Sequence, residues 1–488
     1  VSIKNKVQLI TYPDSLGGDL RTLNEFLKRL DVFEGGVHIL PPFPSSGDRG
    51  FAPLTYLEIE PRFGTWEDIR RIGENQNVLL DLMVNHISRH SPYFQDFLKR
   101  GRRSEYADMF ITLDKVWPDG DPPQEDVAQI FLRRPEHPFS DVTIEETGQV
   151  ERIWTSFGKQ AVSEQIDLDV RSDAAKNLLA DFLTHFSQQN VKIVRLDAVG
   201  YVTKKPGTNC FFVEPEIYKF MEWITGVADS LGLALLPEVH AHYSIQFRLA
   251  ERGYWVYDFV LPALILHALF RKSSRKLCDY LKVCPRQQFT MLDCHDGIPI
   301  MPDVNDILEI KESKEIVDIC VQRGAYLSHI LSPAHKAPDG FDVHQIKCTY
   351  YSALDGDDDA YMASRALQFF APGVPQVYYV GLLAGENDHE SVRRTGEGRA
   401  INRHNYSVEE IDRALQKNVV QRLLKLIRFR NEYPAFDGDF EVLDSGEREV
   451  HLSWQKGNRA CSLGVDLNSN RAVITYADET GGMAEYEV

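Results

Sequence analysis

Cysteine is scarce in this 488-residue chain: seven residues, Cys210, Cys278, Cys284, Cys294, Cys320, Cys348 and Cys461, with no CxxC spacing. An odd, scattered set argues against a disulfide framework and for free thiols in a reducing compartment. Positive charge is also in deficit, with 54 Lys and Arg against 72 Asp and Glu and a net charge of −18. That field disfavours nucleic acid and anionic membranes as partners, and any anionic substrate needs a local basic pocket. No apolar run reaches membrane length, and no basic–apolar–small leader precedes the first strand pattern, so a cytoplasmic location is expected. Internal repeats and low-complexity linkers are absent too. What is present is ordinary for a globular enzyme, 43% hydrophobic and 26% charged residues. The length is ample for a large core and too great for one compact unit.

Along the chain, strand and helix patterns alternate. Strands are expected at 7–12 (VQLITY), 36–40 (GVHIL), 78–84 (VLLDLMV), from Val191, at 234–239 (ALLPEV), 254–260, 288–292 and 374–380. Helices are expected at 20–30, 66–73, 174–187, from about 214, and at 419–431. Eight strands with helices between them predict an α/β (β/α)8 barrel built from residues 1–86, 167–297 and 354–435. The rhythm breaks at 87–166, rich in Pro, Asp, Glu and aromatics, and again at 298–353, which reads as irregular. Both are expected to be insertion domains. From 436 to 488 the period becomes two, and four strands predict a small antiparallel β domain.

The chemistry gathers at strand ends, where barrel enzymes place reactive groups. In VKIVRLDAVGY, Arg195 and Asp197 are two apart on a strand and so share a face. A cation beside a carboxylate favours the ionised form, which suits a glycosidase nucleophile. Alone, the pair is equally an ordinary structural ion pair. Asp81, Asn85 and His86 end the third strand, Glu238 and His240 the fifth, and His295 and Asp296 follow the seventh. Singly, each has a plain explanation: strand-end histidines are usually just hydrogen-bonded, and Asp-Gly is a common turn. Together they predict three carboxylates converging on one mouth.

The segments DLMVNH, QIDLDV, VRLDAVGY, LPEVH and LDCHDG resemble, in order, the motifs of the α-amylase superfamily of retaining α-glycoside enzymes. The resemblance implies Asp197 as nucleophile, Glu238 as general acid/base and Asp296 as transition-state stabiliser. It also implies sugar contacts from His86, Gln165, Arg195, His240 and His295. No metal or organic cofactor is expected, and no dense acidic loop calls for calcium.

VQLITYPDSLGGDL, PPFPSSGDRGFAP, DGFDVHQIKCTYYSAL and GRAINRHNY resemble the sucrose phosphorylase subfamily. The resemblance implies Asp48 and Arg403 as glucose clamps, and Phe51 and Tyr201 as an apolar platform under the ring. It implies an acceptor site holding Arg133, Arg134, Asp342, His344, Gln345 and Lys347, with inorganic phosphate as a substrate. Arginine suits phosphate through paired hydrogen bonds. Plain sucrose phosphorylases carry Tyr where His344 stands. His344 with Lys347 makes the acceptor segment more cationic, resembling the branch acting on sucrose 6'-phosphate, with Arg134, His344 and Lys347 as its phosphate contacts. Lys347 reads equally as a solvated loop charge. Plain sucrose, glucosylglycerol and glucosylglycerate phosphorylases are the enzyme alternatives. A non-catalytic transporter-chain relative is disfavoured by the three intact carboxylates. The partners are small-molecule sugars and phosphate, with a monomer or homodimer as assembly.

Overall fold

The computed structural model describes residues 3–158, 165–478 and 482–488. The barrel strands are β1 (Gln8–Thr11), β2 (Gly36–Ile39), β3 (Val78–Met83), β4 (Val191–Asp197), β5 (Ala234–Pro237), β6 (Val256–Asp258), β7 (Gln288–Thr290) and β8 (Val374–Tyr378). Their order in the sheet is β6-β7-β8-β1-β2-β3-β4-β5. The pairings β8–β1, β3–β4, β4–β5, β6–β7 and β7–β8 are parallel. Spatial order thus follows chain order around a nearly closed β/α barrel. Strands such as β3 are buried at every position, which is why they read as apolar runs rather than alternating ones.

The helices follow from the local sequence. Leu20–Leu30 starts at Asp19, whose carboxylate accepts from the Thr22 N–H at 2.8 Å while the Thr22 hydroxyl accepts from the Asp19 N–H at 3.1 Å. Such a reciprocal cap is worth about 1 kcal/mol. Its buried face is Leu20, Leu23, Phe26, Leu27 and Leu30, one helical stripe.

By contact density the chain forms two compact units, one of Ile39–Val239 with Ile330–Asp342, the other of Ile3–His38, His240–His329 and Val343–Val488. In the first, the stretch between β3 and β4 has its own aromatic core. Trp117 and Trp154 stack at 5.7 Å, and Phe139 meets both edge-on at 5.8 and 5.0 Å. Ile111, Leu113, Val116 and Ile130 pack on them. A short antiparallel pair, Phe139–Thr143 with Val150–Trp154, completes this layer.

In the second unit, the segment after β7 is more regular than its sequence suggests. It holds a helix, Ile310–Gln322, and an antiparallel sheet in which Val343–Lys347 lies between Ile298–Pro299 and Tyr326–His329. The strand partners are too far apart in sequence for a local pattern to reveal the sheet. At the C-terminus five antiparallel strands follow in chain order, Asp439–Val442, Glu449–Lys456, Arg459–Asp466, Arg471–Ala477 and Met483–Glu487. The fifth was not expected, because its short, mostly exposed sequence carries no clear alternation. Trp454 anchors this sheet, its indole N–H donating to the Phe370 carbonyl at 2.8 Å.

Candidate active site

In the first unit the register of β3, β4 and β5 assembles a charged cluster. Asp81 pairs with Arg195, and Arg195 with Leu236. One guanidinium nitrogen of Arg195 donates to Asp81 at 2.6 Å and to Asp197 at 2.7 Å, and another lies 3.7 Å from Glu238. Directly after the strand, Ala198 is left-handed at φ 55°, a conformation costing a residue with a Cβ about 1–3 kcal/mol. Its N–H donates to the Glu238 carboxylate at 3.1 Å. The costly turn therefore links Asp197 to Glu238 through the backbone.

Burial pushes Asp197 up to about 7, with Glu238 and Asp81 adding and Arg195 opposing. The sequence suggested a carboxylate held ionised by Arg195. Desolvation outweighs that cation, so the Asp197 carboxyl is raised rather than lowered.

Beside this cluster the Phe51 carbonyl is gripped twice, by His86 Nε2 at 3.0 Å and Gln165 Nε2 at 3.2 Å. Burial lowers the His86 pKa, so it meets that carbonyl as a neutral N–H donor. The Phe51 ring faces the Arg195 guanidinium at 5.9 Å. Tyr201 packs in an aromatic group, 4.9 Å from Phe157 and 4.8 Å from Phe211, and the same Phe157 ring lies 5.1 Å from His86. Asp48 lies in a left-handed turn at φ 47° and contributes a negative charge at His86.

Two supports of this cluster escape sequence reading. The buried ammonium of Lys204 is held by Asp167 at 2.8 Å, Asn85 Oδ1 at 3.0 Å, Ser156 Oγ at 3.4 Å and the Tyr201 carbonyl. Asp167 also binds Asn85 Nδ2 at 3.1 Å, next to His86. An ammonium ringed by oxygens does here what a bound cation would do.

The second unit holds the other cluster. Asp296 lies 3.0 Å from Arg399 and 3.7 Å from His295. Burial alone would raise its carboxyl, but Arg399, then His295, His240 and Arg403 overcome this and hold it well below the usual range. Arg403 forks onto the His295 carbonyl at 2.9 and 2.8 Å and faces the Tyr12 ring at 5.8 Å. Asn402 ties the same turn, donating to the Cys294 and Asp296 carbonyls at 3.0 and 3.1 Å. Neither Arg399 nor Asn402 stood out in the sequence, although both lie in GRAINRHNY. Cys294, His295 and Asp296 also place a thiol, an imidazole and a carboxylate within 4.8 Å. Such a donor set suits a borderline divalent cation, but the arginines beside Asp296 oppose one.

The catalytic-domain description of alpha-amylase matches residues 12–243. The sucrose 6(F)-phosphate phosphorylase of Thermoanaerobacterium thermosaccharolyticum is 61% identical over 490 residues, covering 100% of both chains. The chain belongs to the sucrose phosphorylase subfamily of the α-amylase superfamily. The sucrose phosphorylase of Streptococcus mutans is 42% identical, covering 98% of this chain and 99% of the relative. The solved structure of the sucrose 6F-phosphate phosphorylase from Thermoanaerobacter thermosaccharolyticum superposes with a TM-score of 0.98, covering 100% of this chain and 99% of that one. Among the described residues no helix is long and apolar enough to cross a membrane.

The residues singled out for the subfamily's acceptor side divide between the two units. In the first, Arg134 donates to Ser140 at 3.0 Å and Thr155 at 2.8 Å. Arg133 faces the Phe157 ring at 5.9 Å, and Asp342 is bound by Lys336 at 2.7 Å. In the second, His344, Gln345 and Lys347 lie on the strand Val343–Lys347 rather than on a loop. The partner strand pairs Ser328 with Gln345 but His329 with Val343, so His344 is the extra residue of a β-bulge. Bulges re-aim side chains and are common beside active sites. The His344 ring lies 6.0 Å from that of His240. Lys347 is half-buried and its ammonium lies along Gly398, next to Arg399. It is thus a packed strand residue, not a solvated loop charge.

Proposed function

We propose that the chain is a retaining glucosyl phosphorylase that moves glucose from sucrose 6'-phosphate, and from sucrose, to inorganic phosphate. The observation that carries this is the 61% identity over the full length of both chains to a sucrose 6(F)-phosphate phosphorylase. The products are α-glucose 1-phosphate with fructose 6-phosphate or fructose.

Asp197 attacks the anomeric carbon as the glycosidic bond breaks, and Glu238 gives its proton to the leaving oxygen. The β-glucosyl ester on Asp197 is then attacked by phosphate. The new C1–O bond forms as the ester bond breaks, and the phosphate proton passes to Glu238. Two inversions give net retention. Asp296, held ionised by its ring of cations, stabilises the positive charge that develops on the sugar. By the subfamily resemblance, glucosyl contacts are assigned to His86, Gln165, Arg195, Tyr201, Phe51 and Asp48 in the first unit and to His240, His295 and Arg403 in the second. Arg134 and His344 meet the 6'-phosphate, and Asp342, Gln345 and Lys347 belong to the acceptor side. Inorganic phosphate is a substrate and no cofactor or metal takes part. The enzyme acts in the cytoplasm as a monomer or homodimer, without nucleic-acid or membrane partners.

A second reading, a glucosylglycerol phosphorylase, is favoured by the enzyme of that name from Marinobacter adhaerens, 46% identical over 98% of both chains. The test is release of glucose 1-phosphate with inorganic phosphate present, comparing sucrose 6'-phosphate, sucrose and glucosylglycerol. A preference for the phosphorylated donor supports the first reading, and a preference for glucosylglycerol the second. Replacing Arg134 and His344 by Leu is expected to weaken sucrose 6'-phosphate more than sucrose; equal losses on both would remove their assignment.

A further inference from the structure

Asp303 belongs to none of the family motifs, yet its carboxylate is almost wholly buried, 1% exposed, with Oδ1 3.7 Å from His240 Nδ1. Burying a carboxylate costs several kcal/mol unless nearby charge and hydrogen bonds offset it. The His240 ring is fixed on its flat side by Phe259, with centroids 3.9 Å apart and planes 19° apart. The chain carrying Asp303 is tied to the bulged strand. The Ile300 N–H donates to the His344 carbonyl at 3.1 Å, the Met301 N–H to Val343 at 3.2 Å, and the Val304 N–H closes a turn on Ile300 at 3.1 Å. The segments after β5 and after β7 and the strand 343–347 thus form one frame around two imidazoles.

That frame decides which nitrogen does what. Nδ1 of His240 faces Asp303, so Nε2 is the nitrogen on the opposite side of the ring. A carboxylate on one imidazole nitrogen orients the ring and stabilises its charged form. An imidazole N–H presented beside a second histidine is a donor for an anionic oxygen. It does far less for neutral water.

We propose that Asp303 is a positioning residue for the phosphate-accepting step, holding His240 so that Nε2, beside His344, donates to an anionic oxygen of the acceptor. This rests on the phosphorylase reading above. The covalent events are those already described, and Asp303 takes no part in them. It sets how well phosphate competes with water for the glucosyl ester.

The experiment uses the full-length enzyme with Asp303→Asn and Asp303→Glu. The KM for inorganic phosphate is measured at saturating donor, and glucose release is measured in phosphate-free buffer. For Asp303→Asn the phosphate KM is expected to rise about tenfold, the effect of weakening one charge-assisted hydrogen bond. Glucose release without phosphate is expected to stay within about twofold, and Asp303→Glu to recover part of the phosphate KM. Should Asp303→Asn not fold, the same split is expected, smaller, for Asp303→Glu alone. Parallel losses in both reactions would reduce Asp303 to scaffold, and an unchanged phosphate KM overturns the proposal. A wild-type enzyme that releases no glucose 1-phosphate from any donor removes the phosphorylase reading and this inference with it. A phosphorolytic wild type matched by Asp303→Asn removes the inference alone.

Discussion

Asp197 and Asp296 are the same residue type near the ends of two barrel strands, both largely buried, and their surroundings drive them in opposite directions. Asp197 shares one guanidinium with Asp81 and lies near Glu238 and Asp81, so burial wins and its carboxyl rises to about 7. Asp296 faces Arg399, His295, His240 and Arg403, so the cations win and it stays ionised far below that. Burial is common to both; the ratio of neighbouring charges decides the outcome. Chemically, the division suits a nucleophile that must lose its charge into a bond and a stabiliser that must keep it.

The largest expected effect comes from removing the nucleophile. Asp197→Asn should lower kcat for glucose 1-phosphate release by about 10^4-fold or more; retention of a tenth of the activity would move the nucleophile elsewhere. Next is Lys204→Ala, which leaves Asp167 buried without its ammonium. Breaking such a pair from one side costs about 3–5 kcal/mol, read as a shift in urea midpoint. A loss comparable to an exposed ion pair, under about 1 kcal/mol, would show that oxygen neighbours suffice. Third, Arg399→Met removes the cation 3.0 Å from Asp296. Its carboxyl should rise, moving the acid limb of the pH–rate profile upward and lowering kcat/KM by about 10–100-fold. Arg399→Lys should restore most of the limb, and an unmoved limb would break the comparison on the Asp296 side.

The smallest effect concerns stability and has opposite signs in the two clusters. A carboxyl whose folded pKa is raised binds its proton more tightly folded than unfolded, so stability falls as pH rises through about 7. Asp197→Asn should therefore melt a few degrees above wild type at pH 8, with the difference shrinking as pH falls toward the unfolded carboxyl value of about 4. Asp296 has a depressed value, so its contribution is present above the unfolded value and is lost only as pH falls well below it. Asp296→Asn should melt below wild type at both pH values. Shifts of the same sign for both variants at pH 8 would end the contrast.

The barrel was legible because parallel strands buried on both faces leave apolar runs, and the RxD, EVH and HDG segments sit at their ends. Local spacing placed Arg195 beside Asp197 correctly. It could not weigh burial against Arg195, since the solvent exposure of Asp197 depends on the whole fold. Lys204, Asp303 and Arg399 were silent for a related reason. Each acts on a partner distant in sequence, Asp167, His240 and Asp296 respectively, and none stands in a local pattern of its own. The strand Val343–Lys347 read as a loop because its hydrogen-bond partners lie at 298–299 and 326–329. The bulge that re-aims His344 exists only in that pairing.

Six of the seven thiols are buried, and only Cys294 is partly open. Its sulfur accepts the Asp296 N–H at 3.4 Å, one residue from His295. A mild alkylating dye should consequently label the native enzyme once per chain, at the turn that carries the transition-state stabiliser. The protein thus comes with its own attachment point for an optical reporter, and the dye's colour or brightness could follow sugar arriving at and leaving the barrel in real time, with no residue replaced.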